Sequence, residues 1–260
     1  MDLLTRILEK KRADVEKAKA ARPLTEVKAT VADAPPVRDF QRAIEDSPHP
    51  VALIAEVKKA SPVTGPTRPD FDPAEIADTY KEAGADCLSV LTDVEFFQGS
   101  PDYLGLCRDV SGLPTLRKDF TVDEYDVWEA RAMGADAVLL IVAALPAIQL
   151  ADLKALAESL GMAALVEAHS LAEAETAISA GATLVGVNNR DLTTFESMID
   201  ASLETIPKIA DRATVVSESA IATRQDVEAV AKAGARAVLI GTSFCSAPDI
   251  GAKVREVMGW

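Results

Sequence analysis

Cysteine, histidine and aromatic residues are scarce in this 260-residue sequence, and aromatic residues make up only 5% of it. The three cysteines lie far apart and form no Cys-x-x-Cys pair, which argues against a disulfide framework and against a zinc site. The two histidines, His49 and His169, also lack the close spacing typical of metal ligands. We therefore expect no metal, and we interpret Cys87, Cys107 and Cys245 as small apolar core residues.

Long hydrophobic runs are also missing. The longest run, 137–148, is interrupted by Pro146 and is too short to cross a bilayer. The first six residues lack the basic-then-apolar order of a secretory signal peptide. These absences argue against a membrane protein and predict a cytoplasmic one.

Basic residues are outnumbered by acidic ones, at 27 Lys and Arg against 41 Asp and Glu, for a formal net charge of -14. Such a surface does not attract nucleic acid or anionic membranes, so neither is an expected partner. An anionic small molecule would need a local basic pocket. The sequence does not reveal the oligomeric state, and a monomer is the working expectation.

What the sequence does contain is a repeated pattern of strands and helices. Short apolar runs without helical periodicity recur at 51–55, 87–91, 114–116, 137–142, 163–166, 184–187, 214–216 and 237–240. Segments rich in Ala, Glu and Lys lie between them, at 73–83, 123–133, 146–160, 171–180 and 224–233. Several helical segments end in a Gly-Ala pair, at Gly84, Gly134, Gly181 and Gly234. A helix stopped by glycine and followed by a buried strand is half of a βαβ unit.

Eight such units predict an α/β fold, the (β/α)8 TIM barrel. The rival is an open doubly wound sheet, but no Gly-x-Gly-x-x-Gly follows a predicted strand and no P-loop occurs. With 48% apolar residues, the chain can bury the core of one extended domain or of two small ones. We predict a single barrel domain over 1–260.

The N-terminal part precedes the repeats. Leu3, Leu4, Ile7 and Leu8 have helical spacing, which predicts an amphipathic helix over the first twenty or so residues. A second short helical pattern lies near 40–44. We predict that 1–46 is a helical extension packed on the barrel, and the sequence leaves open whether its helix closes over a ligand or only braces the rim.

Most of the predicted strands end in polar residues, and active sites of such barrels form at the carboxyl ends of the strands. The strand ends carry Glu56, Lys58 and Ser61; Thr92 and Asp93; Arg117, Lys118 and Asp119; Glu167; Asn188, Asn189, Arg190 and Asp191; Ser217, Glu218 and Ser219; and Gly241, Thr242 and Ser243. Glu56 and Lys58 share one face of their strand because side chains alternate. Lys58 and Lys118, facing each other, should each lose a proton more easily, which would make one of them a general acid near neutral pH, with Glu167 opposing that loss.

Several of these blocks resemble the indole-3-glycerol phosphate synthase family. They are Ile54-Ala-Glu-Val-Lys-Lys-Ala-Ser-Pro, Leu91-Thr-Asp, Phe96-Phe-Gln-Gly-Ser, Leu116-Arg-Lys-Asp-Phe, Leu165-Val-Glu, Gly186-Val-Asn-Asn-Arg-Asp-Leu and Ser217-Glu-Ser. The resemblance covers nearly the whole chain, including the N-terminal extension. It implies an enzyme of tryptophan biosynthesis that converts 1-(2-carboxyphenylamino)-1-deoxyribulose 5-phosphate into indole-3-glycerol phosphate, carbon dioxide and water, without a metal or organic cofactor.

The resemblance also implies catalytic roles. Lys118 corresponds to the general acid that protonates the ketone oxygen, and Glu167 to the acid or base of the dehydration. Lys58 resembles the lysine that holds the substrate carboxylate, with Glu56 beside it on the same face. Asn188 and Ser219 resemble the residues that orient the ribulose part.

The other implied residues bind the substrate. Glu218 lines the pocket, and Arg190 lies near the anthranilate end. Phe97 and Phe120 resemble the apolar wall around the aromatic ring, although ordinary packing at the barrel rim is an equally good interpretation of each phenylalanine alone. The phosphate is expected between the loops after the last two strands, at Ala220 and at Gly241, Thr242 and Ser243, with Ser61 as a further contributor.

The sequence departs from the family pattern near this phosphate site. Ala220 stands where the family usually has glycine, Gly241 is followed by Thr-Ser-Phe instead of the commoner Glu or Ser, and Val63-Thr64 replaces a common Ser-Lys pair. If position 220 needs a positive φ, alanine would force the backbone amides away from the phosphate. These departures bear on substrate affinity more than on reaction type.

Two further functions stay open. The first is another phosphosugar enzyme, either an isomerase or an aldolase that forms a Schiff base through Lys118. The second is a barrel that has lost its activity and serves as a binding subunit.

Overall fold

The computed structural model describes residues 3–63, 65–190 and 198–260. Thr64, Asp191 and Leu192, all part of the sequence motifs, lie outside the described residues. The first of the three segments contains the N-terminal helices and the first long strand, and the other two contain the remaining seven long strands.

Eight parallel strands close into a barrel, which confirms the predicted (β/α)8 fold. In chain order the strands are β1 (Ala52–Val57), β2 (Ala60–Ser61), β3 (Gly65–Pro66), β4 (Cys87–Leu91), β5 (Thr115–Lys118), β6 (Ala137–Ile141), β7 (Ala163–Ala168), β8 (Leu184–Asn188), β9 (Thr214–Glu218) and β10 (Ala237–Ile240). Around the barrel, β1 is followed by β4 to β10 in chain order, and β10 pairs with β1. The short strands β2 and β3 form an antiparallel ribbon outside the barrel.

The barrel strands are apolar because both of their faces are buried. Every residue of β1, β4, β6 and β10 is buried, as expected where side chains fill the interior and helices cover the outside. The register pairs Ile54 with Cys87 on one side of β1 and Ala55 with Ile240 on the other. All the strands run the same way, so their carboxyl ends meet at one rim.

The helices follow the predicted pattern, with additions. In chain order they are α1 (Leu3–Ala21), α2 (Leu24–Thr30), α3 (Phe40–Glu45), α4 (Pro73–Glu82), α5 (Pro101–Ser111), α6 (Glu124–Ala132), α7 (Ala147–Ser159), α8 (Leu171–Ser179), α9 (Asp200–Thr205), α10 (Arg224–Ala233), α11 (Thr242–Cys245) and α12 (Ile250–Met258). Those not predicted are α2, α5, α9, α11 and α12. Most of them are short, and in α5 Gly105 interrupts the helical composition.

Local signals fix the ends of the predicted helices. The Asp72 carboxylate accepts hydrogen bonds from two backbone N–H groups at the start of α4, which satisfies donors that have no partner within the helix. At the other end of such a unit, Gly234 stops α10 with a φ of 110°, a conformation that favours glycine. The Gly-Ala pairs therefore mark helix ends, as predicted.

The N-terminal helix α1 is held against the barrel by packing and by charge. Ile7 and Leu8 are buried. The ammonium of Lys11 lies 3.0 Å from Asp119, which follows β5, and 3.5 Å from Asp126 in α6, and both carboxylates are buried. These contacts tie α1 to the loop that leaves the end of β5.

Two expectations about composition can be compared with the structure. All three cysteines are buried free thiols, which confirms their interpretation as core residues. No helix within the described ranges combines the length and the apolar character that crossing a membrane requires.

Candidate active site

A cavity opens at the carboxyl ends of the barrel strands, and its empty volume, counting the open mouth, is about 1120 Å³. The predicted site residues that line it are Glu56, Lys58, Phe97, Lys118, Phe120, Glu167, Asn188, Arg190, Glu218, Ser219, Ala220, Gly241, Thr242 and Ser243. Residues far apart in the sequence meet here because each follows or ends a parallel strand.

Helix α1 also contributes to the cavity wall. Leu3, Leu4 and Ile7 line it, although no sequence motif assigned them to the site. The amphipathic spacing of these residues was visible in the sequence, but the position of the helix was not. Residues of α1 therefore reach the cavity wall.

Lys118 stands at the centre of a cluster of carboxylates. Its Nζ lies 2.9 Å from Glu167 Oε2 and 3.6 Å from Glu218 Oε2, so that the ends of β5, β7 and β9 converge on one ammonium. Burial alone would lower the pKa of Lys118, but Glu167, Glu218 and Glu56 outweigh it and raise the pKa well above its usual value. Lys118 is therefore an ammonium at every physiological pH.

The predicted loss of a proton from the lysine pair is wrong for Lys118. That prediction weighed the repulsion between Lys58 and Lys118 more heavily than the attraction of Glu167. The structure adds Glu218 and Glu56 to Glu167, and together they outweigh the effect of burial on the pKa of Lys118. Coulomb energy falls with distance, and only the folded structure reveals which charges are close.

The two carboxylates beside Lys118 differ in charge. Burial and the neighbouring Glu167 raise the pKa of Glu218 to about 8. Burial would also raise the pKa of Glu167, but Lys118 and His169 outweigh it and hold that pKa far below its usual value. Two like charges this close do not both ionise readily, so the pair carries an ionised Glu167 beside a Glu218 that holds a proton at neutral pH.

Glu56 and Lys58 form a second ion pair in the cavity. Lys58 Nζ lies 2.6 Å from Glu56 Oε1, and both side chains are buried. This agrees with the prediction that they share one face of the first strand. Burial acts to raise the pKa of Glu56, but Lys58 and Lys118 outweigh it and lower the pKa, so the carboxylate is ionised.

Two glycines make room for these carboxylates. A Cβ on Gly186 in β8 would stand 2.0 Å from Glu218 Oε1, and a Cβ on Gly241 would stand 2.3 Å from Glu56 Oε1. No side chain fits in either place without moving a carboxylate. Gly186 belongs to one of the sequence motifs, but its purpose depends on the neighbouring strand and was not predicted.

The side-chain amide of Asn189, which was predicted at a strand end but given no role in the site, joins the ends of β8 and β9. The buried Asn189 donates from Nδ2 to Glu218 O at 3.0 Å and to Ser219 O at 3.1 Å, and its Oδ1 accepts from the N–H of Ser202 at 2.9 Å. It holds the backbone of two cavity residues in place. Its predicted neighbour Asn188 lines the cavity and accepts a hydrogen bond from the N–H of Arg190 at 3.1 Å.

The loop after β9 has an uncommon backbone. Ser219 and Ala220 have φ values of 63° and 58°, in the left-handed region that favours glycine. Position 220 thus has a positive φ, the condition under which alanine was expected to disturb the phosphate site. Alanine adopts it here, at a cost of about 1–2 kcal/mol.

An aromatic wall lies across part of the cavity. The rings of Phe97 and Phe120 are tilted, with centroids 6.2 Å apart, a spacing typical of interacting aromatic pairs. The Asp93 carboxylate accepts from the backbone N–H of Phe96 at 2.7 Å and of Phe97 at 3.0 Å. This polar strand end therefore shapes the loop that carries Phe97.

Ser61 is the predicted residue that the fold does not bring to the cavity wall. It is buried in β2, opposite Gly65 in β3. The next two residues, Pro62 and Val63, line the cavity instead, because the ribbon turns the chain after Ser61.

His169 lies behind Glu167 and is the charged neighbour that sequence reasoning missed. Its Nε2 lies 3.3 Å from Glu167 Oε1 and its Nδ1 3.3 Å from Glu173 Oε2. In the sequence, His169 drew attention only as a possible metal ligand, and its spacing to Glu167 was the available signal. Within residues 3–63, 65–190 and 198–260, no group of three or more His, Cys, Asp or Glu is arranged to hold a metal ion.

Solved structures share the fold at low sequence identity. 3-Hexulose-6-phosphate synthase is similar with a TM-score of 0.62 and 16% identity, over 80% of this chain and 99% of that one. Thiamine phosphate pyrophosphorylase from Pyrococcus furiosus is similar with a TM-score of 0.59 and 18% identity, over 81% of this chain and 95% of that one. At such identities the likeness concerns the barrel alone.

The sequence comparisons are more specific. A sequence model described as indole-3-glycerol phosphate synthase matches residues 4–257. Proteins of that name from Laribacter hongkongensis and Neisseria gonorrhoeae are 48% and 50% identical over 259 residues, which is 98% of this chain and 98% and 99% of theirs. One from Azoarcus sp. is 48% identical over 262 residues, covering 99% of both chains. The chain belongs to the indole-3-glycerol phosphate synthase family.

Proposed function

We propose that this protein is an indole-3-glycerol phosphate synthase, a carboxy-lyase of tryptophan biosynthesis. Its substrate would be 1-(2-carboxyphenylamino)-1-deoxyribulose 5-phosphate, and its products indole-3-glycerol phosphate, carbon dioxide and water. The observation that carries the proposal is the contact of 2.9 Å between Lys118 Nζ and Glu167 Oε2, in the barrel cavity of a chain that is 48% identical to a protein of that name.

The cavity suits an anionic substrate although the chain is acidic overall. Lys58, Lys118 and Arg190 supply the local basic groups that a net charge of -14 makes necessary. We assign Lys58, paired with Glu56, to the substrate carboxylate and Arg190 to the anthranilate end.

The remaining parts of the substrate are assigned to the apolar and the hydroxyl-bearing parts of the cavity wall. We assign Phe97 and Phe120 to the aromatic ring, because they form an apolar face of the cavity. Asn188, Ser219 and Glu218 would orient the ribulose part. The phosphate would lie between Ala220 and the residues that begin α11, Gly241, Thr242 and Ser243.

Ring closure needs a proton at the ketone oxygen. The aromatic carbon that carries the carboxylate attacks the ketone carbon, and the C–O bond electrons move to oxygen, which takes a proton from Lys118. Because the ionised Glu167 and Glu56 keep Lys118 protonated, the donor is present in its charged form before the substrate enters. Carbon dioxide then leaves, and its bonding electrons restore the aromatic ring.

The same two side chains, Lys118 and Glu167, would catalyse the dehydration. After Lys118 has regained a proton from solvent, it gives this proton to the new hydroxyl, which leaves as water, and Glu167 accepts the proton that the developing indole loses. Glu167 is free of its own proton before this step, because Lys118 and His169 hold its pKa low.

We also propose a cellular location, an oligomeric state and a domain organisation, as the sequence suggested. The chain would act on its small-molecule substrate as a cytoplasmic monomer, independent of nucleic acid and membranes. Residues 1–46 would be a helical extension of one barrel domain over residues 1–260, in which α1 adds Leu3, Leu4 and Ile7 to the cavity.

The direct test follows indole fluorescence after addition of the carboxyphenylamino substrate. We expect fluorescence to grow with the wild-type protein. Lys118→Ala should reduce the rate by at least about 10²-fold, as loss of a general acid does, with an unchanged circular dichroism spectrum. Lys17→Ala, which removes an exposed cation from α1, is the matched control and should react like the wild type.

Two outcomes would favour the rival functions. Substrate binding without any indole product points to a binding subunit. Trapping of Lys118 by borohydride during turnover points to a Schiff-base aldolase, and we expect none, because a Schiff base requires a neutral amine and the carboxylates around Lys118 raise its pKa.

A further inference from the structure

His169 is a partly buried titratable residue that takes no part in the proton transfers assigned to Lys118 and Glu167. It follows β7, two residues after Glu167, and its side chain is only 11% exposed. Its backbone N–H donates to Glu173 Oε2 at 2.8 Å, and its ring Nδ1 lies 3.3 Å from the same oxygen. Glu173, in the first turn of α8, thus holds both the backbone and the ring of His169.

The other ring nitrogen faces the catalytic carboxylate. His169 Nε2 lies 3.3 Å from Glu167 Oε1 and makes no aligned hydrogen bond within the described part of the chain, so its influence on Glu167 is mainly electrostatic. Both ring nitrogens therefore face carboxylate oxygens. A neutral imidazole has one N–H and would turn a lone pair toward one of them, whereas an imidazolium presents N–H to both.

The charge of His169 bears on which carboxyl group holds a proton. Glu167 is flanked by Lys118 on Oε2 and by His169 on Oε1. Glu218 has the ammonium of Lys118 at 3.6 Å and a buried Oε1 without a hydrogen-bond partner among the described residues. The second cation thus favours ionisation of Glu167 over that of Glu218.

We propose that His169 is the positioning residue of Glu167, an imidazolium anchored by Glu173 that keeps the Glu167 carboxylate ionised beside Glu218. The proposal rests on the proposed function only in giving Glu167 a catalytic role. Burial alone would lower the pKa of His169, but Glu167 and Glu173 outweigh it and raise the pKa to about 10, which agrees with the geometry.

The protonation state can be read without turnover. The chain has only two histidines, so ¹⁵N spectra of the imidazoles contain two sets of signals, and His49→Gln identifies them. His49 stacks on Trp260, with ring centroids 3.7 Å apart, away from the cavity. We expect His169 to stay protonated from pH 6 to 8.5, and Glu173→Gln or Glu167→Gln to bring its titration down toward neutral pH.

Kinetics tests the effect on Glu167. His169→Asn and His169→Gln should each lower kcat on the acid limb of its pH profile, by about tenfold for each unit by which loss of the nearby positive charge raises the pKa of Glu167. KM should change less than twofold. The acid limb of the kcat profile should move to higher pH, and His49→Gln should leave it in place.

Each alternative result has a definite meaning. A neutral His169 at pH 7 overturns the proposal, as does a wild-type kcat profile in both His169 variants. A wild-type kcat profile in His169→Gln but not in His169→Asn also overturns the proposal, because it would reveal a hydrogen bond in place of a charge. If neither variant folds, the profile of Glu173→Gln decides: an unmoved acid limb overturns the proposal and a limb moved to higher pH supports it. Absence of indole product in the wild type would end the proposed function, while the imidazole spectra would still decide the charge state of His169.

Discussion

At the scale of single residues, the space beside Glu218 depends on Gly186. A Cβ there would overlap Glu218 Oε1 at 2.0 Å, so Gly186→Ala should displace that carboxyl group from Lys118. We expect a loss of about 1–3 kcal/mol of unfolding free energy, as for other overpacked cores, and slower indole formation. Urea denaturation and the fluorescence assay measure the two effects.

A matched glycine substitution separates crowding from a general effect of alanine. A Cβ on Gly105, inside α5, meets nothing within 4 Å, so Gly105→Ala should stabilise the protein by up to about 1 kcal/mol through helix propensity. The double substitution Gly186→Ala/Glu218→Asp shortens the crowded carboxyl side chain and should recover the stability that Gly186→Ala loses. A Gly186→Ala protein with wild-type stability and rate would contradict the crowding argument.

Ala220 offers a second prediction at a single position. Its φ of 58° is strained for alanine but ordinary for glycine. Relief of about 1–2 kcal/mol of strain is partly offset by the greater freedom of glycine in the unfolded chain. Ala220→Gly should therefore stabilise the protein by about 1 kcal/mol or less, measured as a higher urea midpoint, and a lower midpoint would argue against the left-handed conformation.

At the scale of elements, a partly buried cation ties α1 to the loop after β5. Lys11 lies 3.0 Å from Asp119, the residue after Lys118, while Leu3 and Leu4 line the cavity. Lys11→Ala should loosen α1, raise KM several-fold and lower stability by about 1–3 kcal/mol, because a buried carboxylate loses a hydrogen-bonded partner. Initial rates over a range of substrate concentrations give KM.

The control substitution removes the same charge from α1, but at an exposed position. Lys17→Ala removes an equally charged but 76% exposed side chain from the same helix, and exposed ion pairs contribute little. Equal effects of the two substitutions on KM would show that the tie to Asp119 does not position α1.

At the scale of the whole molecule, buried proton-binding groups set the pH dependence of stability. The pKa of His169 is raised to about 10 from 6.5, and that of Glu218 to about 8 from 4.5. The folded state holds protons that the unfolded state has lost, so stability falls between pH 4.5 and 8 for Glu218 and between pH 6.5 and 10 for His169.

Carboxylates with lowered pKa act in the opposite direction. For Glu56 and Glu167 the stabilisation is present above their usual pKa of 4.5 and is lost as the pH falls below it. We therefore expect maximal stability on the acid side of neutral pH. Urea midpoints at several pH values test this, and His169→Asn should flatten the decline above pH 6.5. Stability that rises from pH 7 to 9 would contradict the assignment.

Much of the architecture could be read from local patterns. Apolar runs and Gly-Ala pairs predicted the eight barrel strands to within a few residues, because parallel strands buried on both faces leave a continuous apolar signal. The short helices α9 and α11 were missed, since four to six residues give too little periodicity. Lys118 and Glu167 were identifiable because they end strands of a barrel.

The sequence by itself determined the fold class, the family and the chemical groups at the strand ends, since these depend on periodicity and on short motifs. Only the tertiary structure decided that Lys118 keeps its proton, that Ser61 leaves the cavity wall, that Asn189 joins two strand ends and that His169 faces Glu167. Each of these depends on distances of about 3 Å between elements remote in sequence, and electrostatic and hydrogen-bond energies change steeply over such distances.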